Sequence, residues 1–254
     1  MAAIELYSTP LFSDANLVAY YRFSSGALTT DSKGSNTLTN NNTVGSGTGA
    51  FGDANGSADF GASNTNKYFS RADALGINLR SAYTITFWVK ISTAPTSSTW
   101  SFFDMRSNVG GNDGIQNPFY FKPSGLNVGF NLSPTNNAPY DLGTTNWHML
   151  TISHDGSGNM ASYIDATSFL TGTRVDGGGN SNITIGANIV PGNFLQGLVD
   201  DWAVFSRVLT PTEISDLYNG NWTSIKTVNG LAKASVKTVN GLAIASVKTW
   251  NGLA

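Results

Sequence analysis

The sequence contains no cysteine, and this absence excludes disulfides, thiolate catalysis, iron–sulfur clusters and cysteine-based zinc sites. Charged residues make up only 12% of the 254 residues, which is about half of the usual share. The formal net charge is −2, so the chain lacks the excess of basic residues that proteins use to bind a phosphate backbone. We therefore do not expect nucleic acid as a partner.

The sequence also lacks the patterns of a secretory signal and of a membrane span. The first twelve residues contain no basic segment followed by an apolar one. No apolar run approaches the roughly 18 residues that a transmembrane helix needs. We expect a protein that is made in a cytoplasm, does not insert into a membrane, and reaches any extracellular location by a non-classical route.

Strand-like patterns recur along the chain, whereas its twenty-eight glycines disfavour helices. The clearest strand is residues 83–91, where every second residue from Tyr83 to Ile91 is apolar. Further strands are predicted at residues 17–23, 57–60, 99–103, 119–122, 127–131, 147–154, 159–165, 182–185 and 194–205. Strands in series with so little helix predict an antiparallel sandwich.

One short helix is predicted after the last strand. Thr210 suits the N-cap, Pro211 suits the first helical position, and Glu213 stands at the third. The apolar residues that follow share one face, and Asn219-Gly220 ends the pattern. We expect this helix to pack on the sandwich through its apolar face.

The end of the chain is a repeat with a period of eleven residues. Residues 224–254 read SIKTVNGLAKA, SVKTVNGLAIA and SVKTWNGLA. Each unit joins a short β-prone piece to Asn-Gly, the preferred pair for a tight hairpin turn. The segment has too few large apolar side chains for a core of its own. It is therefore predicted to pair with other copies, to lie on a partner's surface or to form a disordered tail, and we favour assembly.

A homotrimer is the favoured assembly, although the repeats also allow a dimer. The residues predicted to mediate it are Val228, Asn229, Gly230, Val239, Asn240, Gly241, Trp250, Asn251 and Gly252.

Seven short segments point to a family by their order and spacing. They are LVAYYRF from residue 17, DSKGSN from 31, GSADF from 56, YTITFWVK from 83, WHMLTISHD from 147, SYID from 162 and GLVDDWAVFSRVLTPTEI from 197. Together they resemble a laminin-G-like domain of the concanavalin A-like group. The resemblance implies an all-β fold, a jelly-roll sandwich of two antiparallel sheets with one short helix. It departs from the family at Ala166, where glycine usually follows the aspartate.

Three regions follow from these patterns. We predict an N-terminal arm at residues 1–14, the sandwich at residues 15–220 and the short β-repeat tail at residues 221–254.

Acidic residues suited to glycoside hydrolysis are scarce, since that reaction needs two carboxylates on either side of one bond. Glutamate occurs only at Glu5 and Glu213, and helix capping explains the second. Asp200 and Asp201 are neighbours, so a regular strand would point them to opposite faces. We therefore predict that the protein is not an enzyme.

Calcium is the one cofactor that the sequence suggests, because loop carboxylates and carbonyls supply the oxygens that this ion prefers. Members of the family often carry calcium in or beside the sandwich. The candidate ligands are Asp31, Asp200 and Asp201. The alternative is that Asp31 makes a local turn and that the other two accept bonds from nearby backbone amides.

Sugar binding needs an aromatic platform beside hydrogen-bonding groups, and three aromatic residues lie near polar loops. Trp100, Tyr120 and Tyr140 are the candidates, with buried packing as the alternative for each.

We expect a non-enzymatic, lectin-like display protein that contacts cell-surface glycans and is attached through its repeats. The expected carrier is a virus or phage particle, in which the protein is a capsid decoration, fibre or tail adhesin among other structural proteins. Alternatives are a structural lattice protein that binds no sugar and, less favoured, a polysaccharide-degrading enzyme.

Overall fold

The computed structural model describes residues 4–24, 26–62, 66–73, 75–92, 100–105, 119–121, 127–130, 140–142, 145–173, 182–189, 191–221, 227–228, 231–232, 238–239 and 242–243. The chain divides into two compact units, Met1–Gly220 and Asn221–Ala254. The strands of the first unit are β1 (Leu17–Tyr21), β2 (Thr39–Asn41), β3 (Gly45–Gly47), β4 (Ser57–Asp59), β5 (Tyr68–Arg71), β6 (Ala82–Ile91), β7 (Trp100–Ser101), β8 (Phe103–Asp104), β9 (Phe119–Phe121), β10 (Asn127–Phe130), β11 (Tyr140–Asp141), β12 (His148–Asp155), β13 (Asn159–Ile164), β14 (Thr167–Thr173), β15 (Ile183–Ile185) and β16 (Gly197–Phe205). Its α-helix is α1 (Pro211–Asn219).

One layer of the sandwich is an eight-stranded antiparallel sheet. Its order is β14-β13-β12-β6-β16-β4-β3, and β1 also pairs with β16. The second layer consists of two four-stranded sheets, β11-β10-β9-β7 and β2-β5-β15-β8. These two sheets meet where the chain passes directly from β7 to β8 through Phe102. The predicted jelly-roll sandwich is therefore confirmed.

The core lies between these layers and follows from the alternation of the strands. Every second residue of β6 from Tyr83 to Ile91 belongs to the core cluster. They meet Leu150 and Ile152 of β12, and Phe69 and Ile185 of the opposite layer, in the same cluster. Because every second residue of β6 and β12 faces inward, the residues between them form the outward face of the large sheet.

Helix α1 covers part of that outward face, as the sequence predicts. Thr210 caps the helix in a capping box with Glu213, and Gly220 ends it in a left-handed conformation. Tyr218 stacks on Trp88 at 5.7 Å between ring centroids, and Ile214 and Leu217 are buried. Trp88 is thus buried between the sheet and the helix, outside the core between the layers.

The N-terminal residues cover another part of the outward face. Two short 3-10 helices, Leu6–Ser8 and Pro10–Ser13, bury Leu6 and Leu11. Arg207 joins this segment to α1, because its guanidinium contacts both Asp14 and Glu213. The segment predicted as a separate arm at residues 1–14 therefore belongs to the same compact unit as the sandwich.

Strand β16 contains a bulge that the sequence pattern did not predict. Asp200 pairs with Trp88 and Ala203 pairs with Thr86, so two residues lie opposite one. Asp201 has φ +52° at this point. The expectation that Asp200 and Asp201 point to opposite faces is wrong, because the extra residue interrupts the alternation and leaves both on the outward side.

The second unit contains two short antiparallel pairs. Strand β17 (Thr227–Val228) pairs with β18 (Leu231–Ala232), and β19 (Thr238–Val239) pairs with β20 (Leu242–Ala243). In each pair two residues separate the strands, and both lie at the same place in consecutive repeats. Among the described residues of the whole chain, no helix is both long and apolar enough to cross a membrane.

Candidate functional site

An open cleft of about 400 Å³ lies on the outward face of the large sheet. We call it the β12–β14 cleft. Its lining residues are Ser153, Asp155, Asn159, Met160, Ala161, Tyr163, Thr171, Gly172, Thr173 and Val208. Neither α1 nor the N-terminal segment contributes to this lining, so this half of the outward face is open.

The cleft floor combines hydroxyl groups with one aromatic ring. Ser153 and Thr171 both lie beside Ala161 in the strand register, one on each side. Tyr163 lies next along the same face of β13, where it is half-buried. Val208 is 39% exposed and adds an apolar wall. The cleft therefore offers both apolar and hydrogen-bonding contacts to a ligand.

A hydrogen-bonded turn lies at one end of the cleft. Asp155 Oδ1 accepts bonds from the backbone amides of Ser157 and Asn159 at 2.7 and 3.0 Å. Its Oδ2 accepts from the Asn159 side chain at 2.6 Å. The Asn159 bond is the largest cause that lowers the pKa of Asp155, and the Ser157 amide acts in the same direction. Asp155 therefore presents a negative charge at this end.

The opposite end of the β13–β14 hairpin is held by a partly buried hydrogen-bond network. Asp165 Oδ2 lies 2.7 Å from His148 Nδ1, and its Oδ1 accepts from the Met149 amide at 2.9 Å. Both residues of the two-residue turn have positive φ, +51° at Asp165 and +62° at Ala166. This is the conformation of a tight primed turn, which favours glycine at the position of Ala166. The departure from the family pattern at Ala166 thus falls on a strained backbone position.

The three aromatic residues predicted to bind sugar do not line this cleft. Trp100 is only 4% exposed and belongs to the core cluster, which is the buried packing given as the alternative for it. Tyr120 lies opposite Ser101 and Gly129, and Tyr140 lies opposite Val128, all in one four-stranded sheet. The side chains of Tyr120 and Tyr140 lie outside the described part of the chain.

Asp31 makes the local turn that was the alternative to a metal ligand. Its Oδ1 accepts from the backbone amides of Tyr20 and Lys33 at 3.0 and 2.9 Å. Its Oδ2 accepts from the backbone and side-chain nitrogens of Asn36 at 3.2 and 2.8 Å. Four N–H donors therefore occupy this buried carboxylate, and it is poorly suited to hold a cation.

Asp201 likewise accepts hydrogen bonds from groups of the protein itself. Its Oδ2 accepts from the Leu6 amide at 3.0 Å, and the Tyr20 hydroxyl donates to its Oδ1. Burial is the main cause that raises the pKa of Asp201, to about 7, although both bonds act in the opposite direction. Asp201 therefore fixes the N-terminal segment to the sheet.

Asp200 differs from the other two, because a second carboxylate lies beside it. Its Oδ2 accepts from the Ala50 amide at 2.8 Å, and Asp53 lies in the same loop as Ala50. A Cβ atom on Gly49 would clash with the Asp53 carboxylate and lie 2.9 Å from Asp200 Oδ2. Burial, then Asp201 and then Asp53 raise the pKa of Asp200. Two carboxylates thus crowd one small volume that only glycine leaves open.

Within the described residues no three His, Asp or Glu side chains form a metal-binding group. An ion between Asp53 and Asp200 would therefore need backbone carbonyls to complete its ligand set. Asp200 is only 2% exposed, so its carboxylate cannot reach the glycosidic oxygen of a bound polysaccharide.

The predicted assembly residues fall in the second unit. Val228 and Val239 lie in strands β17 and β19. The other predicted residues, at positions 229, 230, 240, 241 and 250–252, lie outside the described residues.

Sequence reasoning missed Tyr163 and Asp53. Tyr163 could have been found from the alternation of Asn159, Ala161 and Tyr163 along β13. Asp53 could have been found from the two glycines that flank its loop, Gly49 and Gly56.

Comparisons with known proteins agree with this fold. Residues 63–215 match the Laminin_G_3 family model, described as the concanavalin A-like lectin/glucanases superfamily. Comparison with curated proteins gives no match.

Solved structures of similar fold include three that are under 25% identical to this chain. Domain 4 of AbnA, a GH43 extracellular arabinanase from Geobacillus stearothermophilus in complex with arabinotriose, is 21% identical with a TM-score of 0.57, covering 80% of this chain and 98% of that one. The botulinum neurotoxin serotype D binding domain is 18% identical with a TM-score of 0.59, covering 81% and 52%. The binding domain of botulinum neurotoxin DC in complex with SialylT is 16% identical with a TM-score of 0.56, again covering 81% and 52%.

The chain therefore spans about half the length of these toxin domains and nearly all of the arabinanase domain. At these identities the likeness shows the fold alone. Since the family model matches more than half of the sequence, the chain belongs to the concanavalin A-like lectin/glucanases superfamily.

Proposed function

We propose that the protein is a non-enzymatic carbohydrate-binding module whose ligand lies in the β12–β14 cleft. The observation that carries this proposal is the half-buried ring of Tyr163 in one cleft with the exposed Thr171 and the largely buried Ser153. An aromatic ring packs against the C–H face of a sugar, and hydroxyls exchange hydrogen bonds with those of the ligand. The fold supports the proposal, since similar structures were solved in complex with arabinotriose and with SialylT.

The chemistry of the cleft favours binding over hydrolysis. Asp155 is the one carboxylate among the described lining residues, and turn amides hold it in the ionised form. Hydrolysis needs a second carboxylate about 5–10 Å away on the other side of the bond. One similar structure is a domain of a GH43 enzyme, so the test includes catalysis.

The central experiment is a glycan array probed with the wild type, Tyr163→Ala and Tyr7→Ala. Tyr7 is 47% exposed and does not line the cleft, so its variant is a matched control. We expect the wild type and Tyr7→Ala to bind the same glycans and Tyr163→Ala to lose them. Binding by all three proteins alike would place the ligand elsewhere. Release of reducing sugar from the bound glycans would contradict the non-enzymatic role.

We propose further that calcium binds beside the cleft-bearing sheet between Asp53 and Asp200. The crowding of two carboxylates supports this, because a divalent cation would relieve the repulsion that raises the pKa of Asp200. Asp31 and Asp201 are not ligands in this proposal, since N–H and O–H donors occupy them. Calorimetry on chelator-treated protein should show calcium binding that Asp53→Asn removes and Asp59→Asn retains. If calcium produced no heat of binding and no rise in melting temperature, the protein would not bind calcium.

We propose that the C-terminal repeats attach the module to an assembly, favoured as a homotrimer on the surface of a virus or phage particle. The support is the repeat itself, which forms two short antiparallel pairs with the same register. The absence of cysteine fits a particle that is assembled in a cytoplasm. An extracellular protein released by another non-classical route is the alternative location, and a sugar-free lattice protein is the alternative role.

Deletion of residues 224–254 tests this role of the repeats. Light scattering on the full chain should give the mass of an oligomer, and the shortened chain should be a folded monomer that still binds glycan. A full chain that is monomeric, or a shortened chain that assembles normally, would overturn the attachment role without affecting the sugar site.

A further inference from the structure

From the chemistry of its lining we infer that the β12–β14 cleft takes an uncharged sugar segment and rejects sugars that carry a carboxylate. This inference rests on the proposed function and adds the ligand class to it.

The charge at the cleft is negative. Asp155 is the one carboxylic acid among the described lining residues, and it lies at the exposed end of the cleft. The bonds from Asn159 and Ser157 lower the pKa of Asp155, so it keeps its charge through the neutral range. A sugar carboxylate that entered beside it would meet a like charge.

No cationic side chain of the cleft lining compensates for this charge. The lining residues that the structure describes include no lysine, arginine or histidine. Arg207 is next to Val208 in the chain, but it contacts the carboxylates of Asp14 and Glu213 through bonds of 2.7 and 2.9 Å. Recognition of an acidic sugar relies on charge-assisted bonds from such cations, and Arg207 is already engaged.

The lining instead suits neutral hydroxyl and N-acetyl groups. Ser153 and Thr171 flank Ala161 in the register, so their backbones lie two strand spacings apart, about 9–10 Å. Thr173 pairs with Asn159 and continues the row towards Asp155. Hydroxyls both donate and accept, and the Asp155 carboxylate accepts from the hydroxyl of a sugar. The row thus matches the alternating donors and acceptors of an uncharged glycan.

One cation could reverse this preference. Arg174 follows Thr173 directly in the sequence and lies outside the described residues. The experiment must therefore separate its effect from that of the cleft lining.

The test compares matched glycans that differ by one charge. Isothermal titration calorimetry is carried out with neutral oligosaccharides bound on the array and with the same glycans carrying one sialic or one hexuronic acid. We expect the wild type to bind the carboxylated forms at least tenfold more weakly. Asp155→Asn should reduce that difference to less than threefold, whereas Arg174→Gln should leave it unchanged. Melting temperatures check that each variant is folded.

The possible outcomes separate a failure of this inference from a failure of the proposed carbohydrate-binding function. Tighter binding of the carboxylated forms, lost in Arg174→Gln, would overturn the inference and leave the carbohydrate-binding role standing. Equal binding of both forms would also overturn it. No binding of any glycan, or binding that persists in Tyr163→Ala, would instead overturn the proposed function.

Discussion

The two halves of the outward face of the large sheet have similar strands but different surroundings. Over β6 and β16, helix α1 and the N-terminal segment bury Trp88, Tyr20 and Asp201. Over β12–β14, the face is open and carries Tyr163 and a row of hydroxyls. The alternation within each strand sets which residues point outward, but the segments that pack above them decide whether those residues stabilise the fold or meet a ligand.

This comparison predicts that substitutions in the covered half change stability, while those in the open half change binding.

Trp88→Ala should produce the largest loss of unfolding free energy. Trp88 is 5% exposed and packs against Tyr218 and Phe51, with ring centroids 5.7 Å apart in both pairs. Truncating such a buried aromatic residue costs about 3–5 kcal/mol of unfolding free energy. Urea denaturation measures it, with Thr171→Ala of the open half as the control at under about 0.5 kcal/mol. Equal losses for the two variants would contradict the division of the face.

Asp201→Asn should change how stability depends on pH. Because the pKa of Asp201 is raised to about 7 in the folded protein, the fold binds this proton more tightly than the unfolded chain does. Its contribution is therefore fully present below about pH 4 and is lost as the pH rises towards 7. Between pH 5 and 8 the wild type should lose about 2–3 kcal/mol of unfolding free energy from this group.

The Asn variant should show a flatter profile over the same range, measured by urea denaturation at several pH values. Part of the slope should remain, because the pKa of Asp200 is raised as well. The carboxylates of Asp14 and Glu213, whose pKa values are lowered, titrate below this range. Superimposable profiles for wild type and variant would show that Asp201 is not the group responsible.

Tyr163→Ala should cost about 1 kcal/mol or less, because its ring is half-buried on the open face. The same substitution should abolish glycan binding. A loss as large as that of Trp88→Ala would show that Tyr163 is a packing residue.

Ala166→Gly should have the smallest effect, and it should stabilise. Ala166 has φ +62°, a conformation that glycine adopts without the steric cost of a Cβ atom. A gain of about 0.5–1 kcal/mol is expected by thermal or urea denaturation. Ala161→Gly, in the middle of β13, should destabilise by a similar amount and serves as the matched control.

Much of the fold could be predicted from local patterns. The alternation of residues 83–91 predicted β6, and the sequence from Thr210 to Gly220 predicted both ends of α1. These features rest on residues that are close in the chain. Strand β14, by contrast, has the sequence TSFLTGT, whose polar majority gives no clear alternation, and it forms because β13 pairs with it.

The site was harder to predict for the same reason. Trp100 is a residue type that often forms a sugar platform, yet whether it is buried depends on the packing of the opposite layer. Asp201 is a residue type that often binds metal ions, yet it accepts a hydrogen bond from the backbone amide of Leu6, which is 195 residues away in the chain. The bulge that turns Asp201 outward is a property of the pairing between β16 and β6, not of either sequence alone.

The most direct test of the central claim is an NMR titration of isotope-labelled protein with a neutral glycan identified on the array. We predict chemical-shift changes that are concentrated at Ser153, Ala161, Tyr163 and Thr171 of the β12–β14 cleft. Changes concentrated in β9–β11, around Tyr120 and Tyr140, with the cleft unaffected, would contradict it.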